Sequence, residues 1–160
     1  MVRTEVQLFL RNAPGELGKL GSTLAKAGIN VDALTIQDAS AYVQELFKAR
    51  GRSLKRIAPA ASYSSMKKDS ANYALIRLLV DPTDQAIDIL TKGGYVFNTV
   101  PVIVLELENR PGTLAEMARK FGEEEININY VYGSALPGGE KSLFIFSPED
   151  IDSAARIFKE

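Results

Sequence analysis

One short turn is written twice in this chain, and that duplication narrows the possible folds more than any other feature. Glu108-Asn109-Arg110-Pro111-Gly112-Thr113-Leu114 repeats the frame Asn-x-Pro-Gly-x-Leu of Arg11-Asn12-Ala13-Pro14-Gly15-Glu16-Leu17, 97 residues earlier. The flanks follow in register. Val6, Leu8 and Leu10 align with Ile103, Leu105 and Leu107, and Ile29-Asn30-Val31 aligns with Ile126-Asn127-Ile128. Two such turns with matching flanks at one offset mark a duplicated structural unit.

Periodicity supplies the elements of each unit. Residues 4–11 alternate apolar and polar, as a half-buried strand does. Asn12 offers a helix cap and Pro14 suits a first helical turn. Leu17, Leu20 and Leu24 then form a helical stripe that ends at Gly28. Residues 30–38 and 73–80 read as strands. A helix opened by Asp81-Pro82-Thr83 carries Ala86, Ile87 and Leu90 and stops at Gly93-Gly94, and residues 95–100 form a fourth strand. This is the β-α-β-β-α-β, or split βαβ, unit.

Only Pro101 separates it from the second unit. There, residues 102–108 predict a strand and Pro111 starts a helix with Leu114, Met117 and Phe121. Residues 127–136 and 141–146 predict a hairpin. Ser147-Pro148-Glu149-Asp150 resembles a capping box and leads into Ile151, Ala154, Ile157 and Phe158. The fourth strand of this unit is absent from its own sequence. Either the chain is short at that end or another segment fills the edge, because an open strand edge is a liability. The domains expected are therefore 1–100 and 101–160. The fold class is α+β, with two ferredoxin-like units in tandem, each an antiparallel sheet with helices on one face.

Composition excludes several chemistries. The 160 residues contain no cysteine and no histidine, which removes thiol chemistry, disulfides, the commonest general base and the commonest metal ligand. A net charge of −1 gives no global field toward nucleic acid or membrane. No run reaches membrane-spanning length and the N-terminus has no signal-peptide core, so a cytoplasmic location is expected. Charge is uneven, however. Residues 39–72, inserted between the second and third strands, hold seven Lys or Arg (Lys48, Arg50, Arg52, Lys55, Arg56, Lys67, Lys68) against Glu45 and Asp69. Val43, Leu46, Phe47, Arg50, Leu54 and Ile57 fall at helical spacing there, so a basic amphipathic helix is expected, weakened by Gly51. It is placed to act as a lid or as a partner-binding arm.

With these residues in view, the chain resembles the ACT domain family, small-molecule sensing modules most often specific for amino acids. The frame around Glu108-Asn109-Arg110-Pro111-Gly112 is similar to the serine-sensing regulatory domain of phosphoglycerate dehydrogenase. The whole chain resembles stand-alone tandem ACT proteins, over residues 4–38 and 73–159. The insert, the absent last strand and Glu125 in the place of Gly28 depart from that pattern. The resemblance implies a regulatory protein that is not an enzyme and needs no cofactor or metal. Its partners would be a free amino acid together with a second copy (a dimer) or a regulated enzyme.

The residues support such a ligand on physical grounds. A helix start presents unpaired N–H groups and partial positive charge to a carboxylate. Gly15 and Gly112 allow close approach, and Asn12 and Asn109 both donate and accept. Within one unit Asn12 and Asn30 lie at opposite ends of a helix about 20 Å long, so they meet a common small ligand only when a second unit is turned about a two-fold axis. Two pockets are therefore expected. One combines Asn12, Ala13, Gly15 and Leu17 with Asn127, Ile128 and Asn129. The other combines Asn109, Arg110, Gly112 and Leu114 with Asn30, Val31 and Asp32, where Asp32 accepts the ammonium more strongly than Asn129 does.

Other readings carry less. Asn-x-Pro-Gly is also a good turn and helix cap in its own right. Tyr130 and Tyr132 alternate on a strand as packing residues do. Residues 133–142 fail as a phosphate loop, because Glu140 precedes Lys141-Ser142 and hairpin strands flank it. Asp81, Asp84 and Asp88 look solvated or capping rather than catalytic. The alternative function is a nucleic-acid- or protein-binding adaptor acting through the insert 39–72; nucleic-acid binding would weaken steeply with salt.

Overall fold

The computed structural model describes residues 1–39, 73–135 and 138–158. The expected basic helix lies outside the described residues. Two compact units are present: Val6–Asn98, and Met1–Glu5 together with Thr99–Glu160.

In the Val6–Asn98 unit, β1 (Val2–Arg11) and β2 (Asn30–Asp38) both run antiparallel to β3 (Tyr73–Asp81). The start of β4 (Phe97–Glu108) lies on the other side of β1, where Phe9 N–H donates to the Val96 carbonyl at 3.3 Å. Strand alternation puts Val6, Leu8 and Leu10 on one face with Ile76 and Leu78. Leu20 and Leu24 of α1 (Glu16–Lys26) and Ala86 and Leu90 of α2 (Thr83–Lys92) complete this buried core.

The second unit repeats the plan with β4, α3 (Thr113–Glu123), β5 (Ile128–Ala135), β6 (Lys141–Pro148) and α4 (Ile151–Ile157). β6 pairs antiparallel with both β4 and β5. Its core gathers Ile103, Phe121, Phe146 and Ala154, with the Phe121 ring centroid 5.3 Å from Phe146 and 5.4 Å from Phe158. The absent fourth strand comes from the other end of the chain. Met1 donates its ammonium N–H to Val104 O at 2.9 Å and accepts from Val104 N–H at 2.8 Å, a reciprocal antiparallel pair. Residues 1–5 thus close the edge that residues 99–160 leave open.

Some boundaries differ from the sequence expectation. The strands expected at 95–100 and 102–108 form one strand through Pro101, whose fixed φ suits extended chain and which only removes a donor. Neither Asn12 nor Asn109 caps its helix: α1 and α3 begin after Gly15 and Gly112, with no side-chain cap bond. The tight turns Ala13 N–H to Arg11 O and Arg110 N–H to Glu108 O come first, so each asparagine sits too far upstream to cap. At α4 the cap is Asp150, not Ser147. Its carboxylate accepts from Ser153 N–H at 3.0 Å and from the Ser153 hydroxyl at 2.7 Å. Those bonds hold the Asp150 carboxyl below its ordinary range. The cap is therefore fully present above the usual aspartate pKa and is lost as pH falls through the lowered value.

The helix C-termini show the duplication at bond level. Ile29 N–H reaches Leu24 O and Gly28 N–H reaches Ala25 O; Ile126 N–H reaches Phe121 O and Glu125 N–H reaches Gly122 O. Both are Schellman motifs, which require a left-handed residue at the first position after the cap. Gly28 meets that need at φ 71°, whereas Glu125 is forced to φ 54°. The left-handed region costs a side-chain-bearing residue about 1–2 kcal/mol. Glu125→Gly is therefore expected to stabilise the protein by about 1 kcal/mol, read as a higher urea midpoint at unchanged slope. An unchanged or lower midpoint would refute that account of the helix end.

Candidate ligand-binding site

Each unit presents a helix mouth and an edge-strand start. At the α1 mouth the chain leaves β1 at Arg11, turns through Asn12-Ala13-Pro14 and enters the helix at Gly15, φ 87° and ψ −15°. At the α3 mouth Gly112 takes φ 94° and ψ −17°. A Cβ built on either glycine would meet no atom within 4 Å, so both mouths are open beside the backbone. Leu17 and Leu114, 40% and 44% exposed, stand as apolar shoulders in the first helical turns.

The α3 mouth is the more elaborated of the two. Asn109 is tied to the β5–β6 hairpin, its N–H donating to Glu140 O at 2.9 Å and its Nδ2 to Gly139 O at 3.0 Å. Thr113 Oγ1 donates to Glu108 O at 3.0 Å and fixes the helix start. Arg110 donates through Nε to Glu108 at 2.9 Å and through Nη2 to both Glu116 oxygens at 3.0 and 2.9 Å. Hydrogen bonds to Glu108 and then Glu116 push the guanidinium pKa above its already high ordinary value.

The edge-strand starts share a device that periodicity could not reveal. In β2 the pairing register shifts between Val31 and Ala33; in β5 it shifts between Ile128 and Tyr130. These are the same bulge at the 97-residue offset, and its extra residue is Asp32 in one unit and Asn129 in the other. Bulges re-aim a side chain and break the ladder locally. Asn30 Nδ2 donates to Asp32 Oδ1 at 2.7 Å, orienting that carboxylate. Asn127 lends its carbonyl to Glu149 N–H at 2.9 Å. Ile128 packs on the core with Phe121 and Phe146, so its side chain is committed to packing.

Placement within each unit follows from the registers. Arg11 pairs with Tyr73 and Asn30 with Asp81, eight residues apart on β3, which is about 26 Å of strand. The structure therefore brings Asn12, Ala13, Gly15 and Leu17 together at one end of their unit, and Asn30, Val31 and Asp32 at the other. Likewise, Glu108 pairs with Lys141 and Ile128 with Pro148, at opposite ends of β6. Asn109, Arg110, Gly112 and Leu114 form one group, and Asn127, Ile128 and Asn129 the other.

Sequence reasoning overlooked Glu5. It is 0% exposed, and its carboxylate accepts the Tyr130 hydroxyl at 2.5 Å and the Tyr132 hydroxyl at 2.6 Å. By alternation it lies on the face opposite Val6 and Leu8. The spaced tyrosines were the available signal, but nothing local names their partner 125 residues away. A cavity of about 280 Å³ in the same unit is lined by Met1, Val2, Ile103, Ala155 and Phe158. It has no polar side chain to orient an amino acid and includes no mouth residue. Among the described residues no three acidic, histidine or cysteine side chains are grouped to hold a metal, and no helix is long and apolar enough to cross a membrane.

Comparison with known proteins places this geometry. No curated protein matches the sequence. Among solved structures, protein BT0572 from Bacteroides thetaiotaomicron is similar at 23% identity and a TM-score of 0.72, over 99% of this chain and 88% of that one. The ligand-free regulatory subunit of aspartate kinase from Thermus thermophilus is similar at 14% identity and a TM-score of 0.56, over 98% and 92%. At these identities the likeness shows a shared fold. The model of a family described as an ACT domain pair matches residues 53–159. Together with two ferredoxin-like units carrying the same turn, helix end and bulge, that match shows that the chain belongs to the ACT domain pair family.

Proposed function

We propose that this protein is a non-catalytic sensor of a free amino acid. The ligand would lie where the helix mouth of one ACT unit faces the bulged edge-strand start of another. The α-carboxylate goes to the first-turn N–H groups that follow Glu16 or Thr113, whose own N–H groups donate to Ala13 O and Arg110 O. The ammonium goes to the bulged residue, Asp32 or Asn129. The observation that carries this reading is the duplication of both devices, an open left-handed glycine mouth and a one-residue bulge, at one offset in both units. Turn-making alone accounts for the mouths but not for the bulges. The regulatory role of the related subunit from Thermus thermophilus supports the same reading.

Because mouth and strand start lie at opposite ends of any one unit, a bound ligand joins two units. Binding then favours one arrangement of the pair over others and changes the surface offered to a second copy or a regulated enzyme. Catalysis is disfavoured by the absence of histidine and cysteine.

The test is a thermal-shift screen against the twenty amino acids, repeated on Asn12→Ala and Asn109→Ala. At about 100-fold excess over Kd a true ligand adds about 2.7 kcal/mol, a rise in Tm of several degrees. Each substitution is expected to weaken the response by about tenfold in Kd at its own mouth, through loss of one polar contact. If no amino acid moves the wild-type Tm, the sensing reading fails.

A further inference from the structure

The two mouths share a frame but not a charge. At the common offset, Arg11, Ala13 and Lys19 stand where Glu108, Arg110 and Glu116 stand in the other unit. At the α1 mouth Lys19 Nζ holds Glu16 at 2.6 Å and Arg11 is exposed, so Arg11, Glu16 and Lys19 together carry one net positive charge. At the α3 mouth Glu108, Arg110 and Glu116 together carry one net negative charge. There the cation that could receive a ligand carboxylate is already clasped by two carboxylates of the chain, at 2.9 Å each. Nε is taken by Glu108 and Nη2 by both oxygens of Glu116, so two of the three guanidinium nitrogens are already engaged. An acidic side chain entering that mouth must displace an internal competitor and then meet a surplus of negative charge. The α1 mouth has Ala13 in place of Arg110; there the single carboxylate of Glu16 engages Lys19, and Arg11 is exposed beside it.

We propose that the mouths sort amino acids by side-chain charge: the α1 mouth takes an acidic amino acid, and the α3 mouth refuses it and takes a neutral or basic one. This rests on the reading of the mouths as amino-acid sites and assigns each a ligand class. The signs reverse at two positions, 11/108 and 19/116. Two charges at side-chain range, partly screened by water, are worth roughly tenfold in affinity.

The experiment is calorimetric titration of the full chain with L-aspartate, L-serine and L-lysine, for wild type, Lys19→Glu (K19E) and Glu116→Lys (E116K). Lys19 is an exposed helix residue that pairs with Glu16 three residues earlier, so K19E is expected to fold. Wild type is expected to bind aspartate at one site per chain. K19E lowers that affinity about tenfold while serine stays within about threefold, and E116K adds a second aspartate site. Raising the salt should weaken aspartate more than serine. Three results overturn the proposal: K19E weakening aspartate and serine alike, aspartate filling two sites in wild type, or serine binding without aspartate. All three leave the amino-acid sites standing. If none of the twenty amino acids binds wild type, both readings fall together.

Discussion

Glu5→Ala is expected to destabilise the protein by about 3–5 kcal/mol, with the loss concentrated in the unit formed by residues 1–5 and 99–160. Glu5 has no exposed surface, and two phenolic hydroxyls converge on its carboxylate at 2.5 and 2.6 Å. A hydrogen bond to a charged group contributes about 1.5–3 kcal/mol, and removing the acceptor strands buried donors at further cost. The effect should be regional. Residues 1–5 are held to Val104 by a reciprocal backbone pair at Met1 and to β5 by the two tyrosines. Loss of the carboxylate frees one of those two anchors. Hydrogen exchange should accelerate in β4, β5 and β6 more than in β2 and β3. Tyr130→Phe with Tyr132→Phe is expected to cost nearly as much, because a buried carboxylate then lacks both donors. Combining these with Glu5→Leu should recover part of the loss, since the two hydroxyls are removed together with the carboxylate they donate to. A change in ΔG below about 1 kcal/mol for Glu5→Ala would show that the cluster contributes little.

Gly133→Ala is expected to cost about 2–3 kcal/mol, although alanine ordinarily suits an extended strand better than glycine. A Cβ at Gly133 would lie 2.7 Å from Phe144 Cδ1 and 2.8 Å from the Leu143 carbonyl oxygen. The ring could tilt away, but the carbonyl belongs to β6, the strand paired with β5, and can move only by distorting the ladder. Phe144 is also engaged with Phe146 at 6.1 Å between centroids, so its retreat would disturb the core. The contrast is with Gly112, where a Cβ meets nothing and the barrier to substitution is the φ of 94° alone. Urea unfolding should place Gly133→Ala well below wild type in midpoint. An unchanged midpoint would mean that the strand pair yields at little cost.

Most of the local architecture was legible. Period-two alternation at Val6-Leu8-Leu10 and helical spacing at Leu20 and Leu24 depend on residues a few positions apart, and the structure places these side chains in one core. Gly28 and Gly94 read as helix stops because few other residues accept φ of 71°. Glu125 was legible as the costlier version of the same stop. The Asn-x-Pro-Gly frame marked both mouths, but assigning the asparagines as caps failed. Capping depends on where the turn ends, and Gly15 and Gly112 take the N-cap positions.

The sequence by itself determined the duplicated unit, its strands and helices, its glycine mouths and the family they belong to, because periodicity, turn chemistry and repetition act over short separations. Only the tertiary structure decided which segment pairs with β4 in the second unit, which carboxylate the tyrosines hold, and where the edge strands bulge. Those outcomes join positions such as Met1 and Val104, or Glu5 and Tyr130, 103 and 125 residues apart. A backbone ladder bonds the same way whatever side chains it carries, so no residue pattern announces its distant partner. That choice is settled when the chain has folded far enough to leave one edge unpaired and one segment able to reach it.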